Sequence, residues 1–205
     1  SSSVLDYIAA IKASFIDSVM TPSILKFMDK LVKDNEKRRV PLLDFIKKQA
    51  NFSKKKKETL NEEFGKELLS SVGVILVDEV PKIDFSQFEL LDEVGIDVRE
   101  LEERSGNIGI SEILALTYDN NIFIKRDHAK STNLIYHELC HVLQYKLLGK
   151  HRFIYYYYTY LSDPRIGYDN HPMETITYKL EEGFKIDGLE KGMTNKYIKM
   201  SLGLK

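Results

Sequence analysis

STNLIYHELCHVLQYKLLG (residues 131–149) has the marks of one long helix. Ser131 or Thr132 can cap its start, Leu134, Ile135, Leu139, Val142, Leu143 and Leu147 carry its apolar positions, and Gly149 ends it. Inside it, His137-Glu138-Leu139-Cys140-His141 sets two imidazoles four residues apart. On an α-helix that spacing separates them by about 40° in direction and about 6 Å in rise, so both rings can reach one ion. Neutral imidazole nitrogen is a favoured zinc ligand, and a catalytic zinc uses three protein ligands with a fourth position open for water. Glu138, next to His137, is placed to take a proton from that water. The plainer alternative is a surface helix with two unrelated histidines, since HExxH arises by chance on the order of once in a hundred chains of this composition.

A third ligand has to come from outside this helix. The pattern HExxHxxGxxH is absent, because positions 144 and 147 hold Gln144 and Leu147, which excludes the metzincin arrangement. Residues 172–182 read as a helix begun by Pro172 and closed by Gly183. Glu174, in its first turn, is the best-placed carboxylate, since a second helix packed on the first can present it to the metal. Glu181 and Glu182 on the same helix are alternatives, as are His151 and His171. Those two histidines flank helix ends and read as exposed or capping.

Upstream, 112–118 and 122–125 are β-rich runs separated by Asp119-Asn120-Asn121, the pattern of a hairpin. Val74-Ile75-Leu76-Val77, after Gly73, reads as a short buried strand. Before it the chain reads as helical: Val4, Ile8, Ile11, Phe15 and Val19 form one stripe, Thr21-Pro22 starts a second helix with Thr21 as its cap, and 41–48 and 56–72 continue the pattern. A helix is expected over 153–161, a loop over 162–171 and a short helix after Thr194. The expected fold is α+β and predominantly helical. An N-terminal helical region (1–72) precedes a catalytic unit (73–205) made of a small sheet or hairpin, the motif helix and the ligand helix.

Composition narrows the function. A formal charge of −1 argues against a general nucleic-acid binder, which needs a cationic excess. The single cysteine, Cys140, forms no intrachain disulfide, so folding needs no oxidising compartment and synthesis in the cytoplasm is expected. No signal peptide is recognisable, which leaves export by a signal-independent route. The longest uninterrupted apolar run, 153–161, is under half a membrane span and rich in tyrosine, so no stable membrane insertion is expected. Cys140 points about 100° away from His141 and reads as a buried, inert thiol.

HELCHVLQYKLLG (137–149), RFIYYYYTYL (152–161) and GYDNHPMETITY (167–178) together resemble the zincin-like domains of bacterial toxins and contractile-injection cargo, which read HELxHxxQ and, downstream, approximately GYxxNPxExxAY. ALTYDNNIFIK (115–125) is similar to that family's strand pair before the motif. The resemblance spans about 107–182. It implies a gluzincin-like zinc peptidase of the effector or toxin kind, with His137, His141 and Glu174 as zinc ligands and Glu138 as the base. Gln144 matches the family's glutamine and is expected to pack the helix or support the site. His171 replaces the usual asparagine and Thr177 a small apolar residue.

The expected chemistry is hydrolysis of peptide or protein substrates, with Glu138 moving the proton from water to the leaving amine. An oxyanion donor is expected from Tyr168, with Tyr178 or a histidine as alternatives, although with 12 tyrosines in the chain either tyrosine can be a packing residue. Tyr155 to Tyr158 read as a helix packed on the motif helix. The hairpin can offer an edge strand to an extended peptide. Two rival readings are a catalytically silent adaptor with structural zinc, whose closed site wants a fourth protein ligand such as His171, and an N-terminal region that uses the basic residues between Lys30 and Lys57 to bind an acidic partner or a membrane surface.

Overall fold

The computed structural model describes residues 2–49, 51–88, 90–104, 107–108 and 111–205. Its elements in chain order are α1 (Ser2–Phe15), a π-helical stretch (Ile16–Met20), α2 (Thr21–Asp34), β1 (Val40–Pro41), α3 (Leu42–Lys48), α4 (Lys54–Ser71) and β2 (Gly73–Val77). There follow α5 (Val98–Arg104), β3 (Asn107–Ile108), β4 (Ser111–Glu112), β5 (Ala115–Tyr118), β6 (Asn121–Lys125), α6 (Thr132–Leu148), α7 (Lys150–Ser162), α8 (Pro172–Lys185) and α9 (Met193–Ser201). The protein is α+β and mostly helical. A mixed four-stranded sheet runs β1-β2-β6-β5, and β3 and β4 form a separate pair.

Within the sheet, β2 and β6 are parallel with Ile75 opposite Phe123, while β5 and β6 are antiparallel with Thr117 opposite Ile122. The hairpin turn is Asp119-Asn120, two residues where the sequence suggested three, because Asn121 already pairs with Tyr118. Asp119 sits at φ 54°, a left-handed conformation that a short polar side chain tolerates and that matches the twist of a two-residue hairpin. Glu112 pairs with Asn107 instead of extending the hairpin. Side chains alternate between two cores. Ile75, Val77 and Phe123 join Ile24, Met28, Tyr145 and Phe153, whereas Val74, Ile122 and Ile124 join Leu42, Leu60, Leu139 and Phe184. The N-terminal part therefore shares the sheet through β1 and both cores through α2, α3 and α4.

Helix α6 runs between these cores, and every residue from Ile135 to Tyr145 is buried. Ser131 caps it by accepting from Leu134 N at 3.2 Å, and Gly149, at φ 82°, ends it where a side chain would be strained. A helix buried all round normally carries apolar residues. The polar run at 137, 138 and 141 therefore has to find partners inside the protein.

Two helix boundaries differ from the sequence reading. Thr21 caps nothing; helix continues through the π-helical stretch, and both the N–H and the Oγ1 of Thr21 donate to Ile16 O. The widened turn accommodates Pro22, which has no N–H of its own to give. Gly183 does not close α8, which runs on to Lys185; a Cβ there would meet Leu189 Cδ2 at 2.8 Å, so this glycine serves close packing. The helical run Asp6–Asp34 contains an 18-residue window of mean hydropathy 1.3, long and apolar enough to cross a membrane by length and composition, and 22% of that window is buried in the protein. Lys12 and Asp17 interrupt it, so it holds no long unbroken apolar stretch.

Helix α9 starts at Gly192, which has no capping side chain. Glu63 of α4 takes that role, accepting from Gly192 N at 2.8 Å, Thr194 N at 3.0 Å and Thr194 Oγ1 at 2.7 Å. Thr194 in turn meets Tyr136 Oη at 2.7 Å, so this carboxylate also steadies the residue preceding His137. Glu63→Ala is expected to cost roughly 2–4 kcal/mol by leaving buried N–H groups unpaired. A urea midpoint lowered at constant m-value checks it.

Candidate metal centre

Helix α6 supplies His137, Glu138 and His141, buried side chains whose ligand atoms all lie within 4.8 Å of one another. This group could hold a metal ion. His137 Nε2 and His141 Nε2 are 3.2 Å apart, close to the spacing of about 3.3 Å expected for two nitrogens on one tetrahedral zinc. Helix α8 packs across α6 and brings Glu174 onto the same two atoms. Its Oε1 is 2.6 Å from His141 Nε2, and its Oε2 is 3.6 Å from His137 Nε2.

The outer partners fix which ring nitrogen carries the proton. Gln144 donates through Nε2 to Met173 O at 3.0 Å, which turns its Oε1 toward His141 Nδ1 at 2.8 Å. That nitrogen must then be the donor. His137 Nδ1 faces the Glu181 carboxylate at 3.1 Å and is likewise a donor. With both protons on Nδ1, two Nε2 lone pairs and the Glu174 carboxylate converge. Such a set needs a cation between its members, a proton or a metal ion. Burial opposes charge on His137, but its bonds to Glu174 and Glu181 and the nearby carboxylate charges prevail, pushing its pKa up to about 10. Burial likewise favours neutral Glu174, yet the two imidazoles hold its carboxyl well below the usual range.

Glu138 is set apart from Glu174 by its surroundings. Burial, the largest influence, raises its pKa, while His141, His137 and a hydrogen bond from Thr117 pull the other way. Thr117 of β5 donates to Glu138 Oε1 at 3.2 Å, a contact that only the sheet brings about. Tyr168 donates to Glu174 Oε2 at 3.0 Å, and its hydroxyl lies 2.7 Å from that of Tyr178. The Tyr178 ring, 46% exposed, sits 4.6 Å from the His137 ring. Both tyrosines thus flank the cluster. Thr177 Oγ1 lies 3.4 Å from His137 Nε2 and donates to Glu174 O at 2.7 Å.

The other candidate residues lie outside the ligand atoms. His151 pairs with Asp17 at 2.7 Å on the surface, and Glu182 is exposed. His171 caps α8 by accepting from Met173 N at 3.2 Å, but it is fully buried and its Nε2 meets Tyr157 O at 2.8 Å. Cys140 faces the second core, where burial pushes its thiol well up. Of the basic cluster, Arg38, Arg39 and Lys56 are spent on backbone carbonyls of Leu76, Ser71 and Phe184.

A cavity of about 520 Å³ opens over the cluster, lined by β5 and its approach, α6, α7 and α8. Tyr157 and Tyr158, expected as packing residues, also form part of its wall. β5 is the outer strand of its sheet, so its far edge is unpaired among the described residues. No protein-family model, curated protein or solved structure matches this chain. The candidate metal centre accordingly stands on its own geometry.

Proposed function

We propose that the protein is a zinc-dependent peptidase in which His137, His141 and Glu174 hold the metal and Glu138 is the general base. The observation that carries this reading is the pair of Nε2 lone pairs 3.2 Å apart, each fixed from behind by Gln144 or Glu181 and closed by Glu174. Three nitrogen and oxygen donors of this kind suit zinc and leave room for water. Zinc, when bound, lowers the pKa of water towards about 7 and polarises a carbonyl oxygen.

The chain's own residues supply the rest. Glu138, its pKa raised by burial and its Oε1 steadied by Thr117, accepts the proton of the attacking water and passes it to the leaving amine nitrogen. Tyr168 orients Glu174 and, together with Tyr178, stands where a hydroxyl can donate to the developing oxyanion. An extended peptide lies along the free edge of β5, which together with the preceding Ile113 and Leu114 borders the cavity. A closed structural zinc site needs a fourth protein ligand. His171, the histidine nearest to such a role in sequence, is engaged with Tyr157 O and Met173 N, which favours the open, catalytic reading.

The test is hydrolysis of a peptide library by the chain loaded with one equivalent of zinc. Cleavage is expected to stop on removal of zinc by a chelator and to return on adding zinc back. Cleavage indifferent to the chelator would overturn the metal's role.

A further inference from the structure

The cavity extends past the metal cluster. Helix α6 lines it from Asn133 through His137, Glu138 and His141 to Tyr145, about 18 Å of rise at about 1.5 Å per residue. Beyond His141 the wall turns apolar: Ile24 and Met28 come from α2, Phe153 and Ile154 from α7, and all are buried. Phe153 joins the two regions, its ring centroid 6.3 Å from that of His141 and 3.5 Å from that of Tyr145, on which it stacks.

Two polar atoms stand in this apolar lobe. Tyr145 and Tyr158 are only 3% and 7% exposed and line the cavity, yet neither hydroxyl makes a hydrogen bond among the described residues. Other buried tyrosines are satisfied: Tyr118 donates to Asp29 at 2.7 Å, and Tyr136 meets Thr194 at 2.7 Å. Neither hydroxyl is fully enclosed, so both open into the cavity, and two such groups in an otherwise apolar lobe mark where a ligand's polar atom belongs.

We propose that this lobe receives a tyrosine side chain from the residue beside the scissile bond, a specificity that rests on the peptidase reading above. Ile24, Met28, Phe153 and Ile154 enclose the ring, and Tyr145 and Tyr158 bond the phenol. Phenylalanine leaves both hydroxyls unpaired, and alanine leaves the lobe unfilled; sites built around a substrate hydroxyl reject analogues lacking it far more strongly than apolar pockets reject a missing methylene. Since α2 forms one wall, the N-terminal helices take part in choosing the substrate.

The first experiment needs neither metal nor turnover: the full metal-free chain is titrated with p-cresol and with toluene, and binding is followed by calorimetry. p-Cresol is expected to bind about ten-fold tighter than toluene. Tyr145→Phe with Tyr158→Phe is expected to abolish that preference, and Met28→Trp to abolish binding of both probes. Tighter binding of toluene, the order that an all-apolar lobe dictates because the phenol loses water, would overturn the proposal, as would binding of neither probe. The second experiment gives the zinc-loaded chain peptides that differ only by Tyr, Phe or Ala at one position. Cleavage beside Tyr is expected to exceed that beside Phe by at least about ten-fold, and equal rates overturn the assignment. Cresol selectivity without cleavage of any peptide upholds the lobe and overturns the peptidase reading instead.

Discussion

Glu138→Gln is expected to lower peptide hydrolysis by about 10³-fold while zinc stays bound, the scale on which a positioned general base acts. Glutamine fills the same space, and its carbonyl still accepts from Thr117 Oγ1, so the buried environment next to His137 is kept. What disappears is the capacity to take a proton. Zinc content measured after dialysis, together with turnover of one cleaved peptide, separates the two functions. Hydrolysis that survives the substitution would move the base to another residue, and loss of zinc would make Glu138 a ligand.

Glu174→Ala is expected to weaken zinc binding by more than about 100-fold. Losing an outer partner of a metal ligand costs about 10–100-fold, and a ligand itself should exceed that range. Glu181→Gln, which alters only the partner of His137 Nδ1, provides the comparison within that lower range. Competition against a chromogenic chelator reads both variants on one scale. Unchanged affinity in Glu174→Ala would pass the third position to Glu138, whose carboxylate also lies within reach of both imidazoles.

Much of α6 was legible because its signals are local. Ser131 as cap, Gly149 as terminator and the four-residue histidine spacing need only the geometry of one helix. The buried strand at β2 and the hairpin could be read for the same reason, from short apolar runs bounded by turn residues. Thr21 and Gly183 misled because each suits two purposes. A threonine before proline caps a helix or donates back within a wide turn, and a glycine after a helical pattern ends it or admits a neighbour. Only the packing around Ile16 and Leu189 separates those uses.

The sequence by itself thus determined the α+β class, the helix that carries His137, Glu138 and His141, and the carboxylates within reach of it. The tertiary structure alone decided that Glu174 meets both Nε2 atoms while Glu181 meets an Nδ1, that Thr117 from a strand steadies Glu138, and that α2 closes the lobe beyond His141. The physical reason is range. Helix periodicity and turn chemistry act over a few residues, whereas the parallel pairing of β2 with β6 and the packing of α8 on α6 join segments whose relative positions no local pattern encodes.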